Sequence, residues 1–414
     1  MSETAPPPSG PGIFADVMEV AAPIADLPTL FDAELAVSSL LGGAYAAADT
    51  NRAQAVAWFT QNLVDYAGGE RTPRSRALLA GLAGAAPSEE LAATAAAAGA
   101  ALKTTGPAWV SEAGTVRCTG TWRATDLYAD QAQYVATFAY PDQERGGPEH
   151  TVCVLVDHNA RIAKDLFVAV GTDIVRRWQE AAAEESDILL EAVSADTLRA
   201  VVESGMDQAD RLEQPPSDSY VEEWAVTRAR LALLPTRAEP AAGDEIDQIL
   251  ADFLSSPFAA RVAPEAPPGE AVLRACVTAA IEYAVTANSG DPLRWSPTAV
   301  DLFLIDWASD HAALDDDAAP WLPEVLSAFV QYAGQRRGLP EQAVTATIRA
   351  IADAAPHYTD AILGLEAPVQ ELLRRMVADG VDPTDQDEVA EWVIAYRAAQ
   401  ERAARDHRDT PPVD

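Results

Sequence analysis

Apolar residues recur at helical spacing through most of the first hundred residues. Val56, Phe59 and Leu63 lie three or four positions apart in the stretch DTNRAQAVAWFTQNLVDYAGG, and its two terminal glycines are typical of a helix end. Thr72 and Ser88 precede two further apolar runs, where their hydroxyls are suited to accept from the free N–H groups of a first turn. A fourth run, LPTLFDAELAVSSLLGGAYAAA, has the same spacing. These patterns predict four helices joined by short connections.

Between Thr115 and Val168 the apolar spacing changes to two. Val116, Cys118 and Trp122 alternate with polar residues, which predicts a strand with one buried face. The runs QAQYVATFAYP, TVCVLV and RIAKDLFV follow, and TVCVLV is apolar throughout, as in a strand covered on both faces. Because short connections favour antiparallel neighbours, we expect a small antiparallel β-meander. Strand should be confined to this segment.

After Gly171 the helical pattern returns and continues along the rest of the chain. The stretch PTRAEPAAGDE interrupts it with prolines, a glycine and charges, which is typical of a domain boundary. We expect an α+β, predominantly α fold, with helical layers around the β-meander and then an all-α bundle of six or seven amphipathic helices. The predicted segments are a disordered tail (1–12), an N-terminal domain (13–234) with the sheet at about 115–168, a linker (235–245), a C-terminal domain (246–405) and a second disordered tail (406–414).

Two helix starts in the C-terminal half are well marked. In WSPTAVDLFLIDW, Ser296 is placed to cap a helix and Pro297 suits its first position. The apolar residues of this run share one face, and we expect Trp307 on that face to lie in the core. In TDQDEVAEWVIAY, Asp385 and Glu388 have the spacing of a capping box, which predicts the last helix.

Composition and charge narrow the function classes. The net charge is −35, spread along the whole chain, and such a surface disfavours direct binding to nucleic acid or to an anionic membrane. No uncharged apolar run reaches the length of a membrane span, and the stretch MSETAPPPSGPG lacks the features of a secretory signal. Three scattered cysteines do not form a disulfide framework. We therefore expect a soluble cytoplasmic protein with reduced thiols.

One polar cluster interrupts the predicted sheet, in TVCVLVDHNARIAKDLFV. Asp157, His158 and Asn159 separate two strand-like runs, and Asp and Asn are preferred in turns because their side chains bond the backbone locally. The alternative hypothesis makes His158 a general base oriented by Asp157 or Asp165, with Lys164 nearby. Turn chemistry alone accounts for all three residue types, so the sequence favours the turn, with His158 largely solvated. The candidate catalytic residues are Asp157, His158, Lys164 and Asp165.

The sequence predicts neither a metal site nor a cofactor site. Cys118, His150, Cys153 and His158 all fall in the predicted sheet. His150 and Cys153 are three positions apart, an odd spacing that places them on opposite faces of a regular strand. The chain has no paired cysteines at zinc-ligand spacing, no glycine-rich dinucleotide fingerprint and no phosphate-binding loop. We therefore expect no metal and no cofactor.

Two stretches together resemble a family of actinobacterial proteins of unknown function. They are TVCVLVDHNARIAKDLFV and GDPLRWSPTAVDLFLIDWASDHAALDDDAAPWLPEVLSAFVQYAG, and the resemblance runs along most of the chain. It implies a cytoplasmic actinobacterial origin. It implies no activity, substrate or site residue.

Two functional hypotheses remain open at this stage. The first is a non-enzymatic interaction or regulatory protein, whose partner is another protein and whose acidic surface is solvated. The second is a hydrolase with its site around Asp157, His158, Lys164 and Asp165. A pocket lined by these side chains would favour the enzyme, and an exposed hairpin tip would favour the binding protein.

Overall fold

The computed structural model describes residues 11–184, 189–236, 242–363, 376–377, 379–382, 388–389 and 392. The predicted tail at 406–414 and residues 1–10 of the first tail lie outside the described residues, as does Asp385 of the predicted capping box. Residues 11 and 12, which we assigned to the first tail, instead begin a helix. We call residues 11–236 the N-terminal part and residues 242–363 the C-terminal part.

Helices precede and follow a sheet in the N-terminal part. The helices are α1 (Pro11–Val20), α2 (Leu30–Ala46), α3 (Arg52–Glu70), α4 (Pro73–Ala85), α5 (Glu89–Ala101), α6 (Gln143–Gly146), α7 (Asp173–Glu184), α8 (Ala195–Ala209) and α9 (Asp218–Ala232). The strands are β1 (Arg117–Thr125), β2 (Gln131–Ala139), β3 (His150–Asp157), β4 (Ile162–Val170) and β5 (Leu189–Ala192). The four helices predicted in the first hundred residues correspond to α2 to α5.

Local capping explains where several of these helices begin. The Thr72 hydroxyl accepts from the Ser75 N–H at 3.1 Å, and the Ser88 hydroxyl accepts from the Leu91 N–H at 3.3 Å. Each bond satisfies an N–H group that has no partner inside the helix. Both predicted caps are therefore confirmed.

The strands form one antiparallel sheet in the order β4-β3-β2-β1-β5. β1 to β4 are the predicted meander, but the prediction that strand is confined to 115–168 is wrong, because Leu189–Ala192 pairs with β1 at the sheet edge. β5 has only four residues and is largely exposed, so it carries no apolar alternation that a sequence pattern could register.

A bulge in β1 changes which side chains share a face. The register between β1 and β2 shifts between Cys118 and Gly120, so Cys118 packs against the main core while Trp122 packs on the opposite face. The prediction that both belong to one buried face is therefore wrong, since an extra residue reverses the alternation.

The two faces of the sheet pack against different helices. The inner face contributes Phe138 and Val154 to a large core shared with α2, α4, α8 and α9. On the outer face Val135 and Cys153 pack with Val175 of α7. Glycine permits a close approach of α2 and α9 in this core: a Cβ on Gly42 of α2 would lie 2.5 Å from the carbonyl oxygen of Val221 in α9.

The C-terminal part is helical and has a core of its own, built from residues 249–358. Its helices are α10 (Ala242–Leu254), α11 (Glu270–Glu282), α12 (Pro297–Asp301), α13 (Ala308–His311), α14 (Leu322–Arg337) and α15 (Glu341–Ile362). α10 starts inside the segment predicted as a linker, so that prediction extends too far. None of the helices that the structure describes is both long and apolar enough to cross a membrane.

The helix predicted from Ser296 to Trp307 is interrupted. Ser296 caps it, accepting from the Ala299 N–H at 3.0 Å, but the α-helix gives way to a π-helical turn at Leu302–Trp307. The wider turn leaves Trp307 only partly buried, and Trp295 is the tryptophan that lies in the core. The prediction that Trp307 is a core residue is therefore correct only in part.

Candidate functional site

The Asp-His-Asn cluster forms the turn between β3 and β4. Asp157 Oδ1 accepts from the backbone N–H groups of Asn159 and Ala160, both at 3.0 Å, which is the local bonding expected of an aspartate in a turn. The one left-handed residue of the turn is Arg161, with φ 58°. Turn chemistry thus explains Asp157, but the positions of His158 and Asn159 need a further explanation.

The four predicted catalytic residues do not come together. Lys164 Nζ donates to Asp157 Oδ2 at 3.3 Å, so these two form an ion pair at the turn. Asp165 accepts from the hydroxyls of Ser217 and Ser219, at 2.7 and 2.9 Å, and so fixes the start of α9 against β4. Lys164 and Asp165 are adjacent in β4, but the first pairs with the turn and the second with the start of α9, so they serve different contacts.

His158 is not largely solvated, contrary to the prediction. It is half-buried, its N–H donates to the Asp130 carbonyl at 2.9 Å, and its Nε2 lies 3.3 Å from the Tyr134 hydroxyl. Burial, followed by the positive charges of Arg294 and Arg123, lowers the pKa of His158 to about 4. The ring is therefore neutral near pH 7.

Asn159 belongs to a polar cluster that joins the two parts of the chain. Arg294, only 3% exposed, donates to Asp130 Oδ1 and to Asn159 Oδ1, both at 2.6 Å, and also to Asn288 Oδ1. Asn288 in turn donates to Asn159 Oδ1 at 3.2 Å and to the Tyr283 hydroxyl at 3.0 Å. We call Asp130, Asn159, Asn288 and Arg294 the Arg294 joint. A buried arginine bonded to both parts fixes their relative position.

Further contacts surround this joint. Arg161 Nη1 donates to the Thr286 carbonyl at 2.5 Å, and the Tyr128 hydroxyl donates to the Ala343 carbonyl at 3.2 Å. An open pocket of about 200 Å³ next to the turn is lined by His158, Arg161, Ser204 and Ser289, among others. The turn is thus neither an exposed hairpin tip nor a deep site at which the four candidates meet.

A second polar cluster lies inside the N-terminal core, and no pattern of nearby residues in the sequence predicted it. Arg230 donates to Glu34, to the Tyr140 hydroxyl at 2.9 Å and to His150 Nε2 at 2.9 Å. All four residues are at most 3% exposed, and the His150 ring stacks on Phe31. Burial, with the charge of Arg230, lowers the pKa of His150 to about 3. Every member has a partner, so this network holds α2, α9 and the sheet together.

No group of three or more His, Cys, Asp or Glu side chains that could hold a metal ion occurs in the described part of the chain. His150 and Cys153 lie on opposite faces of the sheet, as their odd spacing predicted. His150 contacts the inner core, and Cys153 packs on the outer face. Cys153 is fully buried among apolar side chains, and this burial raises the pKa of its thiol to about 12.

The comparisons with known proteins add no relative. No family model matches the chain, no curated protein matches it, and no solved structure matches it. The resemblance to actinobacterial proteins of unknown function therefore stays an expectation.

Proposed function

We propose that this protein is a non-enzymatic protein that binds another protein, and that the partner carries a basic surface. The observation that carries the proposal is an acidic face on the C-terminal part with an apolar residue at its edge. Asp301, Asp306 and Asp353 are exposed there, together with Ile305, which is 45% exposed. An exposed aliphatic side chain among acids is suited to a partner that is both basic and apolar.

The charges of this acidic face are not neutralised within the described residues. None of its three carboxylates has a cationic side chain within 4.0 Å in that part of the chain. Partial burial, with the negative charges of Asp353 and Asp306, raises the pKa of Asp301. Because like charges close together repel, a cationic partner would relieve this repulsion on binding.

The structural roles of the predicted catalytic residues also support the proposal. Asp157 holds the turn and Lys164, and Asp165 holds Ser217 and Ser219. These bonds leave the carboxylates without the shared geometry that a general acid–base pair needs.

The test compares two variants of equal charge. Asp301→Asn/Asp306→Asn/Asp353→Asn removes the acidic face, and Asp16→Asn/Asp65→Asn/Asp247→Asn removes three exposed acids elsewhere. Each tagged protein is used to capture partners from a lysate of the native cell, at low and at high salt. We expect a basic protein retained by the wild type and by the second variant, released by salt, and lost with the first variant. Equal retention by both variants would contradict the proposal.

One observation favours the hydrolase alternative, namely that His158 lines an open pocket with Ser204 and Ser289. The neutral ring could accept a proton from a bound water or hydroxyl. An ester or amide panel assayed with the wild type and with His158→Ala tests this alternative. Turnover that disappears in a folded His158→Ala protein would establish it and refute the non-enzymatic proposal.

A further inference from the structure

A second pocket, of about 370 Å³, lies where β1 and β5 face the end of α14. Arg123, Thr125 and Glu191 line it from the N-terminal part, and Arg337 lines it from the C-terminal part. Its volume falls within the range of small-molecule sites. We call it the Arg337 pocket.

Arg337 carries a charge that the described residues do not pair. No carboxylate of the described chain lies within 4.0 Å of it, and its one hydrogen bond there is a long contact of 3.4 Å to the Tyr128 carbonyl. Burial lowers the pKa of Arg337. The charges of Arg294 and Arg123 act in the same direction, and those of Asp291 and Asp130 oppose them. Arg337 is thus a cation of this acidic chain that has no carboxylate partner in the described residues.

The N-terminal wall of the pocket offers a matching hydroxyl. Thr125 is only 7% exposed, and its hydroxyl bonds no group in the described residues, yet it is not sealed from the pocket. Arg123 forms an ion pair with Glu191, so the one carboxylate on the wall is already neutralised. The Thr125 hydroxyl is therefore free to bond a ligand oxygen in place of solvent.

We propose that the Arg337 pocket binds a small organic anion, a carboxylate or a phosphate monoester. Its oxyanion accepts from the Arg337 guanidinium and from the Thr125 hydroxyl, and its apolar body lies against Leu127 and Leu189. A guanidinium presents two parallel donors to either oxyanion, so both ligand classes share this chemistry. A ligand held by residues of both parts stabilises them against separation.

The first experiment distinguishes the two ligand classes. Isothermal titration calorimetry of the full chain is carried out with benzoate, with phenyl phosphate and with neutral benzyl alcohol. We expect saturable binding of at least one anion, weakened by salt, and none of the alcohol. The anion that binds more tightly identifies the oxyanion. Absence of binding by both anions, or equal binding of the alcohol, would overturn the proposal.

The second experiment places the binding at Arg337. Arg337→Met and Thr125→Val remove one donor each, from different parts of the chain, and circular dichroism verifies the fold of each variant. Arg336→Met is the matched control, because Arg336 pairs with Asp252 and lies over Tyr332. We expect Arg337→Met to raise Kd about tenfold or more, and Thr125→Val to raise it less. Unchanged affinity in a folded Arg337→Met or Thr125→Val protein, or an equal loss with Arg336→Met, would refute the proposal.

Discussion

Acid should destabilise the N-terminal part through His150, whose ring lies in the buried network around Arg230. The folded-state pKa of His150 is about 3, against an ordinary value of 6.5. Between these values the unfolded chain binds a proton that the folded protein does not. The contribution of His150 to stability is therefore complete above pH 6.5 and is lost as the pH falls towards 3.

The magnitude follows from the size of this shift. Each pH unit below 6.5 corresponds to about 1.4 kcal/mol for one such group, so the free energy of unfolding at pH 4.5 is lower by on the order of 3 kcal/mol. His158, with a pKa of about 4, adds a similar slope over a slightly shorter window. The loss is a large fraction of a typical domain stability.

Urea unfolding, followed by circular dichroism between pH 7 and pH 4.5, measures the slope. The many carboxylates of this chain also titrate, so the comparison is between the wild type and His150→Gln. The glutamine side chain of this variant keeps a donor and an acceptor but cannot be protonated, and the slope should fall by about 1.4 kcal/mol per pH unit. His158→Gln should lower it by a similar amount. An unchanged slope in His150→Gln would show that the folded protein protonates His150 as readily as the unfolded chain, which would refute the reasoning.

Three further predictions test the packing. Arg294→Met leaves the Asp130 carboxylate without its partner and should lower the free energy of unfolding, measured in urea, by about 3 kcal/mol. The radius of gyration in small-angle X-ray scattering should increase. An unchanged radius would show that the Arg294 joint does not hold the two parts together. Gly42→Ala should destabilise by about 2 kcal/mol because its Cβ meets backbone, whereas Gly43→Ala, in open space one residue on, should stabilise slightly; similar effects would show that the helix crossing is looser than described. Trp295→Ala should cost about 4 kcal/mol and Trp307→Ala about half of that, and the opposite order would contradict the π-turn.

The sequence predicted best the features that depend on nearby residues. The caps Thr72, Ser88 and Ser296 were recognisable because a hydroxyl and the N–H group it accepts from lie three positions apart. The meander was recognisable because alternation is a property of a single strand. The bulge after Cys118 and the π-helical turn at Leu302–Trp307 were not predicted. Each inserts an extra residue into the strand or helix and so shifts the spacing of buried side chains, and no particular residue type signals such an insertion.

At the candidate site, local sequence patterns predicted the role of Asp157 but not those of His158 and Asn159. Asp157 was correctly explained as a turn residue, because it accepts from backbone N–H groups two and three residues along the chain and pairs with Lys164 across the same hairpin. Asn159 has equally good turn chemistry, yet its side chain accepts from Arg294, 135 residues away. His158 is half-buried against Tyr134, and burial together with the charge of Arg294 in the same joint lowers its pKa. Since local chemistry already accounted for the turn, it could not reveal that two of its three residues serve a long-range contact. When local hydrogen bonding already explains the residues of a polar turn, the sequence supports neither a catalytic role nor solvent exposure for them. Here the roles of His158 and Asn159 follow only from the residues that they contact across the joint.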